Sequence, residues 1–289
     1  MRRLPSEPEH IRKEKVREWS EKWRRRRFIG DMVLLSMILI LGISLCIKNS
    51  DFVKNLKFRF NSTDCVIHSI DYDYGKGVYF ESEGETALID SGTESHSEEL
   101  LNFIRTKGIE KLDYLLISDP DEKYLDVLSA VTESTEISRI IISQCDDSLF
   151  AAYDDFAFEN LVTLSSADNM RYFSIGEMNF DILDAETMSA KVFLENNSFL
   201  IYNSCSEETE LEIMNFSSYY DFDVLISLDG NLPSQKFIET VTPENIVING
   251  DEKDTADLTA SGEIYRTVLN GDVIIKSNGV DFEFECENQ

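Results

Sequence analysis

Ile117-Ser118-Asp119-Pro120-Asp121-Glu122-Lys123-Tyr124-Leu125 is the stretch on which the fold turns. The run leading into it, Leu112 to Ile117, is short, apolar and rich in large side chains, the pattern of a buried strand feeding a loop. Loops at strand ends are where binding and catalytic groups are built. This one presents Asp119, Asp121 and Glu122 with Lys123 among them, and it contains no imidazole.

The loop resembles that of the metallo-β-lactamase fold, whose pattern Thr-His-x-Asp-x-Asp-His brings imidazoles and carboxylates onto one or two divalent metals. On that match the first His falls on Asp119, the first Asp is kept as Asp121, the second Asp falls on Lys123 and the second His on Tyr124. An ammonium at Lys123 would repel a cation at short range, and a neutral tyrosine binds zinc far less readily than imidazole. The resemblance is strongest to the domain at the C-terminal end of ComEC-type competence proteins. Their opening Asp-Val-Gly-Gln-Gly-Asp is matched in part by Asp71-Tyr72-Asp73-Tyr74-Gly75-Lys76, and their Leu-Ile-Asp-Thr-Gly closely by Leu88-Ile89-Asp90-Ser91-Gly92. Phe237 to Ile248 resembles the family's helix, Pro turn and strand, and Arg266 to Ile275 its closing hairpin.

The second half of the family site is degraded as well. Where the family has Thr-Gly-Asp after a strand, the chain reads Tyr202-Asn203-Ser204, which places Ser204 at the carboxylate position. Where it has His-His-Gly-Ser, the chain reads Leu228-Asp229-Gly230-Asn231. The degenerate counterparts of the metal site are therefore Asp119, Asp121, Lys123, Tyr124, Ser204 and Asp229. The chain has 3 His, at His10, His68 and His96, and none lies in a motif loop. The resemblance implies an α+β fold, a metallo-β-lactamase-like αββα sandwich over residues 64–289, compatible with the alternation of strand-forming and helix-forming runs in two halves.

With 289 residues, 42% of them hydrophobic, the chain is long enough for one full domain and accessory segments. Its net charge is -28, yet residues 1–27 are basic, with Arg2, Arg3, Arg12, Arg17 and Arg24 to Arg27. The sign changes across residues 28–48, where Met32 to Ile47 is almost wholly apolar. With Phe28 and Ile29 this makes about twenty residues, enough to cross a hydrocarbon core of roughly 30 Å. The stretch reads as one N-terminal transmembrane helix, a signal anchor, with Asp31 close enough to its basic end to reach the interface or Arg27. No small-x-small cleavage site follows Ile47, and Leu45 occupies the small-residue position a lipoprotein signal needs before Cys46. The positive-inside rule puts residues 1–27 in the cytoplasm, and residues 49–63 form a short stalk to an extracytoplasmic domain. Val16, Trp19 and Trp23 at helical spacing also suit an amphipathic helix on the inner leaflet, although a basic flank already orients any signal anchor. The family's distribution implies a bacterial plasma membrane.

Periodicity predicts strands at Val66–Ile70, Val78–Ser82, Thr86–Asp90, Ile137–Ser143, Asp223–Leu228 and Asn245–Ile248. It predicts helices at Ser97–Lys107, Asp147–Asn160, Ser206–Phe216 and Pro233–Thr240, with short strands across 161–200 and a long acidic loop from Asn249 to Ser261. Cys65, Cys145, Cys205 and Cys286 permit two disulfides in an oxidising compartment, but buried free thiols are the simpler expectation and the spacings suit no zinc knuckle.

The function expected first is a membrane-anchored, catalytically inactive domain that binds or scaffolds a protein partner on the outer face, with no cofactor and no metal. The solvated-loop reading of Asp119, Asp121 and Asp229 belongs to it, with Asp121 capping the following helix. The alternative is a hydrolase of phosphodiesterase or nuclease type, in which Asp90, Asp119, Asp121 and Asp229 hold a divalent cation such as Mg²⁺, Ca²⁺ or Mn²⁺ and Glu122 adds an oxygen. Asp90 equally suits the end of a strand before a turn. DNA uptake fits poorly: one transmembrane segment makes no channel, and the excess of carboxylates repels phosphate, so no nucleic-acid partner is expected.

Overall fold

The computed structural model describes residues 65–71, 77–90, 97–203, 206–217, 222–250 and 261–288. The basic segment 1–27, the apolar segment 28–48, the stalk, Ser204, Cys205 and most of the acidic loop lie outside these residues. Among the described residues no helix is long and apolar enough to cross a membrane.

The first sheet is built from β1 (Cys65–Ile70), β2 (Gly77–Ser82), β3 (Glu85–Asp90), β5 (Tyr114–Ile117), β7 (Arg139–Ile142), β8 (Thr163–Ser166), β16 (Val273–Ser277) and β17 (Phe282–Cys286). Its order is β17-β16-β1-β2-β3-β5-β7-β8, antiparallel from β17 to β3 and parallel from β3 to β8. The second sheet uses β9 (Tyr172–Ile175), β10 (Met178–Asp184), β11 (Ser189–Leu194), β12 (Asn197–Tyr202), β13 (Val224–Ser227), β14 (Asn245–Ile248) and β15 (Ile264–Arg266), in the order β15-β14-β13-β12-β11-β10-β9. Here β9 to β12 are antiparallel and β12 to β15 parallel. Both sheets thus mix hairpins with crossovers, and the crossovers carry the helices.

Three apolar clusters separate four layers. Ile67, Phe80 and Ile89 of the first sheet meet Phe180, Val192, Phe199 and Ile226 of the second in one interlayer core. Alternation sends the neighbouring residues outward, as a pleated strand requires. There Leu88, Leu115 and Ile140 pack under α1 (Ser97–Lys107), α2 (Tyr124–Thr132) and α3 (Asp147–Glu159). On the far side Leu200, Leu225 and Ile246 pack under α4 (Glu207–Ser217) and α5 (Gln235–Val241). The αββα order expected from the sequence is the order formed.

Several boundaries differ. The apolar run from Leu112 to Ile117 is two strands, because the chain changes partner at Asp113: β4 (Lys111–Leu112) pairs with β6 (Glu136–Ile137) in a small separate sheet, and only β5 enters the large one. Asp113 fixes the break, accepting at its carboxylate from the Thr86 amide at 3.0 Å while its own amide donates to the Thr86 carbonyl at 3.1 Å. The run from Ile137 to Ser143 divides at Ser138 in the same way.

The stretch from Arg266 to Ile275 is a passage between sheets and not a hairpin. β15 ends the second sheet, Thr267–Asn270 forms one helical turn (α6), and Gly271 at φ +65° turns the chain into β16 of the first sheet. The Asn270 side chain accepts from the Arg266 amide at 2.8 Å and holds that turn, and a Cβ on Gly271 would stand 2.9 Å from Glu287 Cβ. The closing hairpin is β16 with β17.

Candidate functional site

Parallel strands put their carboxyl ends on one edge of a sheet, where open α/β sheets build sites. In the first sheet Asp90 lies opposite Ile117, and Ile117 opposite Ile142. The chain leaving β5 is Ser118-Asp119-Pro120-Asp121, and Asp119, Asp121 and Glu122 line a cavity of about 430 Å³ with Asp146, Ser148 and Leu149 at the start of α3. Asp146 is the N-cap of that helix, accepting from Ser148 Oγ at 2.5 Å and from the Leu149 amide at 2.9 Å. These bonds, the Ser148 hydroxyl foremost, hold its carboxyl below the ordinary aspartate value.

The other motif positions go elsewhere. Asp121 does not cap α2: its carboxylate accepts from the Lys123 amide at 3.1 Å, short of the helical amides, and the cap position is Lys123 itself, with no side-chain capping bond. The Asp121 carbonyl accepts from the Tyr153 hydroxyl at 3.0 Å, which anchors the loop to α3. Lys123 is exposed and does not line the cavity. Tyr124 is wholly buried in the core between the first sheet and its helices. Asp90 closes β3 as expected.

Asp229 follows β13 on the second sheet, exposed, and does not line the Asp119 cavity. Its backbone is left-handed at φ +57°, followed by Gly230 at +60°. The turn is tight because the next strand end presses against it: the Gly230 amide donates to the Asn249 carbonyl at 2.8 Å, and a Cβ on Gly250 would lie 2.9 Å from the Gly230 nitrogen. Among the described residues no group of three His, Cys, Asp or Glu side chains is placed to hold a metal ion.

What joins the strand ends of the second sheet is a set of asparagines. Asn203 directly follows β12, Asn231 lies in the loop after β13 and Asn249 directly follows β14. The Asn231 side-chain amide donates to Asn203 Oδ1 at 3.3 Å, and Asn203 Nδ2 donates to the Thr187 carbonyl at 2.8 Å. Asn249, fully buried, reaches across the sandwich, its Nδ2 donating to the Gly77 carbonyl of β2 at 2.9 Å. The Ser227 hydroxyl donates to the Asn231 carbonyl. In the sequence Asn203 and Asn231 stand in the degraded motif stretches without an assigned role and Asn249 only opens the acidic loop, although an asparagine closing two apolar runs, in Leu-Ile-Tyr-Asn and Ile-Val-Ile-Asn, is a visible pattern.

Two other polar groups were also missed. Glu210 on α4 is only 6% exposed, and its carboxylate accepts from the Tyr202 hydroxyl at 3.0 Å, the Ser234 amide at 2.6 Å and the Ser234 hydroxyl. Ser234 caps α5 in turn, so one carboxylate ties β12, α4 and α5 together. His68 on β1, 1% exposed, meets Asp272 at the start of β16, with Nε2 2.6 Å from Oδ2. Asp272 Oδ1 also accepts from the Asp71 amide at 2.8 Å.

Burial alone would raise the Asp272 carboxyl. The bonds from His68 and Asp71, with the charges of His68 and Lys107, outweigh it and leave the carboxyl below the ordinary aspartate value. A lowered folded-state value means stability that is present above the unfolded aspartate pKa and is lost as pH falls through the folded one. Asp272→Asn is therefore expected to cost about 1–2 kcal/mol at pH 6 and less at pH 3. Urea unfolding of both proteins at the two pH values measures this; an equal difference at both would remove the carboxylate's charge from the account.

Among the described residues Cys65, Cys145 and Cys286 take part in no disulfide, and Cys65 Sγ lies 3.0 Å from Ser82 Oγ; Cys205 lies outside those residues. Burial, foremost, raises the thiols of Cys145 and Cys286, with nearby carboxylates adding to it, so neither is set up as a nucleophile.

No known protein family matches the chain, and no curated protein matches its sequence. Solved structures similar to it include a new diphosphatase from the PhnP family, at 13% identity and a TM-score of 0.41 over 65% of this chain and 80% of that one. Another is a metallo-β-lactamase with a HARLDQ motif from Cronobacter sakazakii, at 11% identity and a TM-score of 0.36 over 55% of this chain and 78% of that one. Likeness this slight assigns no family, and the architecture stands on the strand order and the three cores alone.

Proposed function

We propose that the chain is a membrane-anchored, metallo-β-lactamase-like αββα domain that carries out no metal chemistry and serves on the outer face of a plasma membrane as a binding or scaffolding module for a protein partner. The observation that carries the reading is the asparagine set at the strand ends. At the edge where the resemblance implies metal ligands, Asn231 ties the loop after β13 to the end of β12, and Asn249 ties the end of β14 to the facing sheet, by hydrogen bonds from their side-chain amides, while Asn203 holds the Thr187 carbonyl. A neutral amide is a poor ligand for zinc, and here the donor nitrogens of all three serve strand-end geometry, while the buried Asn249 Oδ1 accepts no bond among the described residues. Asp229 points its strained turn to solvent beside them. The carboxylate excess of the whole chain suits a basic protein partner better than nucleic acid.

One observation favours the alternative, a divalent-cation hydrolase: Asp119, Asp121, Glu122 and Asp146 line a single cavity, and Lys123 does not line it. The two readings part on metal content. The full chain, purified without chelator and equilibrated with zinc, manganese, magnesium and calcium in turn, is expected to retain none of them stoichiometrically by elemental mass spectrometry. One metal per chain, lost on Asp121→Ala, would overturn the metal-free reading and make hydrolysis of phosphodiesters the next assay.

A further inference from the structure

The outer face of the second sheet carries a row of reactive groups away from the strand-end loops. Tyr172 on β9 lies opposite Asp181 on β10, and Asp181 lies opposite Lys191 on β11, so three adjacent strands place them side by side. Phe173, Phe180, Ile182 and Val192, their neighbours in sequence, fill the interlayer core, so the row faces away from it. Lys191 is 9% exposed, and its Nζ lies 5.4 Å from the Phe193 ring centroid and 5.9 Å from that of Phe222. Tyr172, at 72% exposed, and Phe193, at 37%, open the row to solvent. A cavity of about 670 Å³ adjoins it: Arg171, next to Tyr172, and Leu183, two residues beyond Asp181 on the same face, both line that cavity.

We propose that Lys191 is a nucleophilic amine that forms an imine with small, uncharged or cationic aldehydes, with Asp181 as its proton carrier and Phe193 and Phe222 as aromatic walls. The Lys191 nitrogen lone pair attacks the carbonyl carbon, the C=O π pair moves to oxygen, and the proton leaving nitrogen passes to that oxygen to give a carbinolamine. Asp181 then donates the proton with which the hydroxyl leaves as water, the C=N bond forms, and the proton lost from nitrogen returns to the carboxylate. Amine and aldehyde become imine and water, and no oxidant is needed.

The physical setting suits both roles. Burial lowers the Lys191 amine below the ordinary lysine value, against the opposing charge of Asp181, and raises the fraction of free amine at neutral pH. Burial also raises the Asp181 carboxyl, against Lys191, a hydrogen bond from Tyr172 and the charge of Arg171, so it holds a proton more readily than an exposed aspartate does. Asp184, Glu186, Glu208 and Glu212 line the neighbouring cavity and disfavour anionic aldehydes. A plain cross-strand ion pair would share this geometry without the reactivity.

The test is competitive labelling of the full chain at pH 7 with benzaldehyde and cyanoborohydride, which reduces an imine to a stable benzylamine, followed by peptide mapping. Lys191 is expected to react about tenfold faster than the exposed Lys107, Lys111 and Lys236, because burial leaves more of it as the reactive neutral amine. Asp181→Asn is expected to slow Lys191 by about tenfold or more and to leave those three lysines unchanged. Labelling of Lys191 no faster than theirs overturns the proposal, as does a Lys191 rate that ignores Asp181→Asn. The wild-type ratio requires no variant, so a misfolded Asp181→Asn chain does not shield the proposal.

Discussion

Deleting residues 1–48 moves the protein from the carbonate-washed membrane pellet to the supernatant; that all-or-none change is the expected result with the largest effect. Met32 to Ile47 with its flanks is about twenty residues, and a helix of that length, at a rise of 1.5 Å each, would span roughly the 30 Å hydrocarbon core. Its Leu, Ile, Val and Phe residues each favour insertion by about 0.3–0.6 kcal/mol when central, whereas Asp31 sits near the end where a carboxylate costs far less than at the centre. Replacing Arg24 to Arg27 with glutamates is expected to weaken or invert the orientation, since the Lys/Arg bias near the span sets it. Protease added to sealed spheroplasts reads the orientation: residues 64–289 are digested in the wild type and protected in an inverted chain. A full-length protein that stays in the supernatant would sink the anchor and the extracytoplasmic placement together.

Glu210→Ala has the second largest expected effect, a loss of about 3 kcal/mol. The carboxylate is buried and accepts three hydrogen bonds, from Tyr202 and twice from Ser234. Hydrogen bonds to a charged group contribute about 1.5–3 kcal/mol each, but Ser234 is exposed and recovers part of its loss to water. Tyr202 cannot, because it is fully buried and its hydroxyl would be left without that acceptor in the core under α4 and α5. For a domain of this size the loss corresponds to a fall in Tm of roughly 6–12 °C. Glu210→Gln keeps the volume and an acceptor oxygen, so it should lose less. Thermal unfolding of the three proteins decides, and a Tm for Glu210→Ala within a degree of wild type would show that the network is replaceable by water.

The legibility of the chain divides along the range of the interactions. Strands such as Asn245–Ile248 and helices such as Ser97–Lys107 lie where apolar spacing puts them, because period and helix stops are local properties of the backbone. Runs that change partner are not marked in this way. Leu112 to Ile117 looks continuous, yet Asp113 divides it, since the break depends on Thr86, distant in sequence. The stretch from Arg266 to Ile275 resembles the family's closing hairpin, yet it holds a helical turn fixed by bonds from the Arg266 amide to Asn270 Oδ1 and from the Gly250 amide to the Thr267 hydroxyl.

By itself the sequence determined the alternation of strands and helices in two halves, the apolar segment 28–48 and the charge asymmetry, because composition and periodicity record what is buried; the layered αββα plan and the loss of histidine from the motif loops were legible only through the resemblance. Only the tertiary structure decided where the surviving groups point. It set Asp119 and Asp121 in one cavity and Asp229 at another strand end, drew Tyr124 into the core, and paired His68 with Asp272 across some two hundred residues. It also aligned Tyr172, Asp181 and Lys191 in one row. The physical reason is that a side chain's partner is fixed by strand register and layer packing, and both are set by contacts between residues far apart in the chain.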